Sequence, residues 1–480
     1  MKMFNPIGAP SGVPLYRSPD LVEPTASYDA ARKTMTVDAS QAGGDLSKEV
    51  FISQQGNSVT VEVVRQSQFG EVYRSFFKYD NVDALVVKTG DTNDYITTYN
   101  DTYTGPNNYP NPNVTVGLTV DAGGGNDLVI GSNGANTLIG GAGNDRLIGG
   151  SQNDVVFAGS GDDYVETGQG DDELHGEDGS DTLYGGQGND KLIDESGPFN
   201  YLEGGKGDDY LLTQGGHNII SGGRDNDRIV SYGEDVIYTG DGADIVENHN
   251  GDDKVYGQTD QDKMLTSWPD RCHPVTFIDV PLKEPVGGIK DFFSRHLFGN
   301  PPKMKTLGTS IQLEGSDEFK DRMEDDLDQM RSSPVGKDML RALDDNGHTV
   351  TIREPTTTLS ATETGDASSR SASKDAYLLP PSIWGQRNVG SDATVSMTPS
   401  HQVESANVIG WMPPSVFLHH ELAHAYNSVT GTIIPGEEAE NQAIGLPVTA
   451  YSDNPRSLTE NGLREEFGIP LRTVYVKIPE

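Results

Sequence analysis

From residue 127 to residue 255 the chain repeats one pairing: an acid or amide, then two positions later a large apolar residue. The polar position is filled by Asp127, Asn136, Asp145, Asp154, Asp163, Asp172, Asp181 and Asp190. After one longer turn it is filled by Asp209, Asn218, Asp227, Asp235, Asp244 and Asp253. The apolar partners run from Val129, Leu138 and Leu147 to Ile237, Val246 and Val255, and every slot is filled. Glycines precede each pair, so the unit is a nonapeptide, G-G-x-G-x-D-x-U-x with U apolar. It is clearest at residues 140–148 (GGAGNDRLI), 185–193 (GGQGNDKLI) and 204–212 (GGKGDDYLL). A beat of nine fits neither a helix face nor a simple alternating strand. It predicts a parallel β-roll, in which each unit gives one turn and one short strand and two units make one coil. The apolar residue points inward, and the glycines allow turn conformations closed to other residues.

Other stretches carry other periods. Residues 1–80 read as a β-rich N-terminal segment without visible chemistry, a capping or targeting segment, with residues 50–64 alternating and 71–79 rich in aromatic and β-branched side chains. The degenerate stretches at 88–97 (KTGDTNDYIT) and 114–120 place the start of the roll near residue 81, giving a roll over 81–258. Residues 259–289, with Pro269, Pro274, Pro281 and Pro285, read as a Pro-rich linker to a last domain at 290–480. That domain opens with helical spacing: Phe319, Met323, Leu327 and Met330, then Met339, Leu340 and Leu343. Residues 348–353 and 393–397 read as strands, and the Ser/Thr/Ala-rich residues 354–376 as a flexible loop.

Charge changes the picture of the roll. The chain carries a net −38, and residues 121–258 hold 28 acidic against 6 basic side chains, or −22. Such a surface repels nucleic acid and anionic membrane. Stacked carboxylates need a cation, and Ca²⁺ takes six to eight oxygens of the kind that Asp side chains and turn carbonyls present. The candidate calcium residues are Asp127, Asp145, Asp154, Asp163, Asp172, Asp181, Asp190, Asp209, Asp227, Asp244 and Asp253. The repeat resembles the RTX family of calcium-binding nonapeptides. No apolar run is long enough to span a membrane, the N-terminus lacks the apolar core of a Sec signal, and the lone Cys272 permits no intramolecular disulfide.

The candidate chemistry lies at residues 420–424, HELAH. On a helix, His420 and His424 share one face and suit one Zn²⁺, with Glu421 beside it as general base. Ser415 follows two prolines and reads as the N-cap of a buried helix that Gly431 closes. His419 points elsewhere on that helix. A third ligand is expected from Glu437, Glu438 or Glu440 on a short helix after Pro435.

The succession HELAHA (420–425), Gly431 and ENQAIG (440–445) resembles the NleD-like effector metallopeptidases, whose site is similar to that of clostridial neurotoxin light chains. That resemblance implies Glu440 as third zinc ligand, with Glu437 as runner-up. It also implies that Arg472 and Tyr475, an R-x-x-Y pair closing the stretch 459–475, face the zinc and stabilise the oxyanion. The expected protein is thus multidomain: an RTX-like parallel β-roll solenoid followed by an α+β zincin-type metallopeptidase domain. Its expected role is that of a secreted bacterial effector that cleaves a protein substrate of the host. The alternative is a calcium-dependent binding or adhesion protein with an inactive peptidase-like domain. The RTX resemblance implies type I export, from which the mid-chain position of these repeats departs, the peptidase resemblance implies type III injection, and nothing in the pattern speaks to oligomeric state.

Overall fold

The computed structural model describes residues 22–42, 46–66, 72–98, 113–251, 253–257, 261–266, 276–279, 284–285, 304–305, 307–354, 370–372, 392–396, 414–429, 437–446 and 455–471. The nonapeptides form a roll of two sheets, which with the strands added at either end number 12 and 13 strands among the described residues. Successive repeats alternate between them, so Thr137–Ala142 lies in one sheet and Arg146–Gly150 in the other. Each strand then pairs in parallel with the strand one coil on, as in Leu138↔Val156 and Leu147↔Val165.

The predicted inward residues form one continuous core, and Leu138, Leu147, Val156, Val165, Leu174, Leu183 and Leu192 are all at 0% exposure. Burying one such side chain contributes roughly 1.5–3 kcal/mol. Ordering backbone costs about 1–2 kcal/mol per residue. A single coil therefore cannot stand alone, and the stack is the unit of stability. The longer turn hides one more repeat. Asn200 and Leu202 fill the polar and apolar slots, and strand Tyr201–Lys206 pairs with Thr182–Gln187 before it and Ile219–Arg224 after it.

The described strands of the N-terminal segment close the roll. Thr34–Asp38 pairs in parallel with Ala84–Gly90 and antiparallel with Thr25–Asp29. Lys48–Gln55 pairs in parallel with Tyr95–Thr97 and starts an antiparallel meander through Ser58–Gln66 to Val72–Asp80. Antiparallel strands thus cover the edges that the parallel coils would leave open. At the other end Lys263–Thr266 and Thr276–Asp279 add to the two sheets. Both come from the stretch read as linker, because pairing at a free edge asks for backbone groups more than for a side-chain pattern.

The C-terminal region is α+β. Strands Ile311–Glu314, Val350–Arg353 and Ala393–Ser396 run parallel, and Arg370–Ala372 adds an antiparallel edge. That edge strand lies within the stretch expected to be a loop. Among the described residues five α-helices follow: α1 (Asp317–Ser332), α2 (Pro334–Asp344), α3 (Pro414–Val429), α4 (Glu437–Ile444) and α5 (Glu460–Phe467). Phe319, Met323, Leu327 and Met330 of α1 meet Met339, Leu340 and Leu343 of α2, Leu418, Leu422 and Ala423 of α3, and the small sheet in one core. Helix α3 begins at Pro414, so Ser415 sits inside its first turn and is not its N-cap. None of the described helices is long and apolar enough to cross a membrane.

This region docks on the roll through a second apolar cluster. Tyr164, Tyr184, Tyr201, Val236 and Tyr238 of one roll sheet meet Val416, Leu463, Phe467 and Ile469. Around it Lys206 pairs with Asp321 at 3.0 Å, and Arg322 lies 3.5 Å above the Tyr184 ring and 3.5 Å from Glu203.

Glycine matters most where coils touch. Gly141 has φ +114°, and a β-carbon there would stand 1.9 Å from the Gly123 carbonyl oxygen of the preceding coil. Gly56 has φ +57° but nothing within 4 Å. Gly141→Ala should lower the denaturation midpoint of the calcium-loaded chain, its backbone strain alone costing about 1–3 kcal/mol. Gly56→Ala should cost about 1 kcal/mol. Equal losses in the two variants would mean that coil-to-coil contact does not limit the roll.

Candidate metal centres

The aspartates of the repeats form two buried ladders. In one, the backbone N–H of Asp94 donates to Asp127 Oδ1 at 2.6 Å, Asp127 to Asp145 at 2.8 Å, Asp145 to Asp163 at 2.6 Å and Asp163 to Asp181 at 2.9 Å. In the other, Asp154 donates to Asp172, Asp172 to Asp190, Asp190 to Asp209, Asp209 to Asp227 and Asp227 to Asp244, all between 2.7 and 2.9 Å. Each carboxylate so uses one oxygen to hold the coil before it. The other oxygen, Oδ2 of Asp127, Asp145, Asp154, Asp163, Asp172, Asp181, Asp190, Asp209, Asp227 and Asp244, is buried without a hydrogen-bond partner among the described residues. Asp94 and Asp194 are in the same condition. Neither was in the sequence-derived set, because one lies in a degenerate coil and the other in the longer turn.

These orphan oxygens face glycines. The point where a β-carbon of Gly140 would stand is 2.4 Å from Asp145 Oδ2 and 2.5 Å from the Ala158 carbonyl oxygen. For Gly185 the oxygens are Asp190 Oδ2 at 2.5 Å and the Gly204 carbonyl at 2.7 Å, and for Gly204 they are Asp209 Oδ2 at 2.4 Å and the Gly222 carbonyl at 2.6 Å. A carboxylate and a carbonyl thus converge at each such glycine on a space that any side chain would fill. Hard oxygens about 2.3–2.6 Å from a common centre are the donor set Ca²⁺ takes. Among the described residues no three His, Cys, Asp or Glu side chains gather around one point. The carbonyls must therefore supply much of any coordination.

Desolvation is the first cause of what happens to these acids without a cation. It raises the carboxyls of Asp127, Asp154, Asp181, Asp190 and Asp194 to about 8, Asp163 and Asp209 to about 9, and Asp227 to about 10. The amide slots avoid the problem. Asn136 Nδ2 donates to the Ser132 carbonyl, Asn200 Nδ2 to that of Ser196 and Asn218 Nδ2 to that of Gly215, at 2.9, 3.0 and 2.7 Å. An NH₂ group does in those turns what a cation does in the others. Asp253 also stands apart, since its Oδ2 accepts from Ser231 Oγ at 3.0 Å and from Asn248 Nδ2.

The second centre lies on α3. His420 and His424 are 6% and 5% exposed, and their Nε2 atoms stand 3.2 Å apart. Two imidazole nitrogens on a tetrahedral zinc, each about 2.0–2.1 Å from it, are separated by roughly 3.3 Å. The pair therefore fits one ion. Glu421 is 2% exposed, with Oε1 3.9 Å from His420 Nε2. His419 is at 0% exposure, and burial pushes its imidazole down to about 4, so it stays neutral in the core.

Behind His420 stands a residue that sequence reasoning passed over. His420 Nδ1 donates to Glu460 Oε2 at 2.9 Å, and Glu460 Oε1 accepts from Arg464 Nε at 2.8 Å. Glu460 and Arg464 are both at 0% exposure. This carboxylate keeps the proton on Nδ1 and aims the Nε2 lone pair outward, as the partners of metal-bound histidines do. The available signal was an acid and an arginine one turn apart on a helix that is otherwise apolar on that face. Glu437, Glu438 and Glu440 lie on α4, which packs against α3, but their side chains fall outside the described residues. Arg472 and Tyr475 lie outside them altogether.

Comparison with known proteins agrees with both halves. Residues 308–475 match the family model Peptidase_M91, described as effector protein. Residues 121–156, 157–192, 199–229 and 230–264 match the RTX calcium-binding nonapeptide repeat in four copies. No curated protein and no solved structure gives a match. Residues 308–475 are thus similar to an effector peptidase family and stand behind a stretch similar to RTX calcium-binding repeats.

The raised carboxyls fix the sign of a pH effect. An acid whose pKa rises from 3.8 to about 8 on folding binds more protons folded than unfolded between those values. Without calcium, the roll is most stable below that window and loses stability as pH rises through it. Calcium-free protein should therefore show more β-sheet circular dichroism at about pH 5 than at about pH 8. Calcium should erase the difference by restoring the signal at the higher pH. Equal calcium-free spectra at both values would show that the ladders do not control folding.

Proposed function

We propose that the protein is a secreted zinc endopeptidase that cleaves a host protein, with a calcium-folded roll serving export and stability. The observation that carries the reading is the 3.2 Å approach of two Nε2 atoms on a buried helix, backed by the carboxylate of Glu460. His420, His424 and Glu440 would hold the ion, with Glu437 the runner-up for the third place. Zinc supplies Lewis acidity toward a carbonyl oxygen and toward water. The remaining work falls to the chain. Glu421 takes the proton from the attacking water and returns it to the leaving amine nitrogen. Glu460 holds His420 in the tautomer whose Nε2 carries the lone pair that a metal ion would take. Arg472 and Tyr475 would place a cation and a phenol donor where negative charge develops on the scissile carbonyl. The division of labour follows the same reading: a roll for the calcium-rich exterior, and a peptidase domain after it for the target.

Host-cell lysate treated with the protein should yield new N-termini that are absent after treatment with Glu421→Gln. That variant should still bind one zinc, because Glu421 is not a ligand. His424→Ala should lose both zinc and cleavage. If Glu421→Gln produced the same new N-termini as wild type, Glu421 would not be the base.

The third ligand is tested separately. Glu440→Ala should cut zinc occupancy far more than Glu437→Ala or Glu438→Ala, measured by metal analysis after dialysis. Full occupancy in Glu440→Ala would move the ligand to another acid.

A further inference from the structure

Helix α5 is attached to different things at its two ends. At its start, Glu460 holds His420 Nδ1 at 2.9 Å and is itself held by Arg464 at 2.8 Å. Its far end is fastened to the roll. Tyr238, on strand Val236–Asp241, donates its hydroxyl to Glu466 Oε1 at 2.6 Å, and Glu466 Oε2 accepts the backbone N–H of Val335 at 2.9 Å. His217 Nε2 donates to the Phe467 carbonyl oxygen at 2.8 Å. The Phe467 ring meets Tyr238 edge-on, with centroids 5.8 Å apart. Gly468 ends the helix at φ +72°, and a β-carbon there would stand 2.8 Å from His217 Nε2, so the imidazole sits where only glycine leaves room.

An eight-residue helix has no stability of its own, and its place is set by what it packs on. It is also short and stiff, about 1.5 Å per residue, so a shift at one end is felt at the other. We infer that Tyr238 and His217 of the roll are positioning residues for the peptidase site. By fixing the C-terminal end of α5 they hold Glu460 against His420, and so set the tautomer and aim of a zinc-binding imidazole. The inference rests on the zinc reading of His420 and His424. It gives the RTX roll a part in the peptidase chemistry that neither repeats nor peptidase motif implies: calcium bound in the coils reaches the zinc site through a helix, without lying near it.

The test uses the full chain, calcium-loaded, with two readouts. One is the rate of zinc release to a colorimetric chelator. The other is the visible spectrum of the cobalt-substituted protein, which reports the geometry around the metal. Tyr238→Phe removes one hydroxyl and keeps the ring, and His217→Ala removes the other tie. Asp321→Asn loosens the docking at α1, where Gln187 and Lys206 bind Asp321, and leaves α5 untouched. Tyr238→Phe and His217→Ala should release zinc on the order of ten-fold faster and alter the cobalt spectrum. Asp321→Asn should match wild type in both. Wild-type release and spectrum in the first two variants would overturn the coupling and leave the zinc reading standing. Equal acceleration in Asp321→Asn would overturn it too, since docking in general would then be the cause. A wild-type chain that takes up no zinc would overturn both readings.

Discussion

A buried carboxylate with one oxygen bonded and the other bare is the constraint on which this molecule is built. It recurs in nearly every turn of the roll, and in the two ladders it stands two residues before a core residue. The bonded oxygen fastens a coil to its neighbour, and the bare oxygen leaves a charge in a place that water does not reach. Apolar stacking alone is too thin to carry that cost, because each coil buries few side chains. Where that carboxylate is charged, a cation bound beside it would offset a cost that the stacking alone does not. The amide slots make the point from the other side: where Asn replaces Asp, a side-chain NH₂ takes over the bare position, and that turn closes without a charge.

The second half of the protein rests on this roll. Its own core is real, with α1, α2 and α3 meeting a small sheet, but its surface toward the roll is not finished. Val416, Leu463, Phe467 and Ile469 complete their burial only against the tyrosine-rich sheet of the coils. Arg322 is buried between Glu203 on the roll and Asp326 on its own helix, with its plane on Tyr184. Such a charge needs both partners, since one alone leaves it uncompensated. The two halves are one packed object at this seam, even though their sequences read as unrelated modules.

Much of this is legible in the sequence. The roll could be read because a strict period ties each acid to a core residue, and a shift of one position would bury the wrong side chain. The helices around Phe319 and Met339 and the face shared by His420 and His424 could be read for the same reason. What escaped had no period. Asn200 and Leu202 were hidden by a single inserted residue, which moved them out of register. The strands before residue 81 looked like a separate segment because antiparallel and parallel strands alternate alike, and only pairing shows that they finish the same sheets. Glu460 escaped because a carboxylate behind a histidine is a fact of tertiary contact, set forty residues from its partner. The docking tyrosines escaped because positions seven and nine of a nonapeptide, on either side of the inward residue, face solvent in an isolated roll and are buried only by what lands on them.

The ladders also have a direction. Every aspartate of the two ladders accepts a backbone N–H from the coil before it, down to Lys48, whose N–H donates to Asp94 at the closed N-terminal end, while the turn residues beside the ladders, such as Asp162, Asp171 and Asp208, accept from the coil after. The molecule is therefore asymmetric toward change in its gene. A duplication of eighteen residues inside the array inserts a coil that finds a donor on one side and an acceptor on the other, and leaves the meander at the front undisturbed. The docked half allows less freedom. Its contacts on the roll span strands from Tyr164–Gln169 to Val236–Asp241 at fixed spacing. Coils added ahead of that stretch should be tolerated across a lineage, whereas coils added within it would carry the seam out of step. The length of such a roll is then free to drift at its front and is held constant beneath its enzyme.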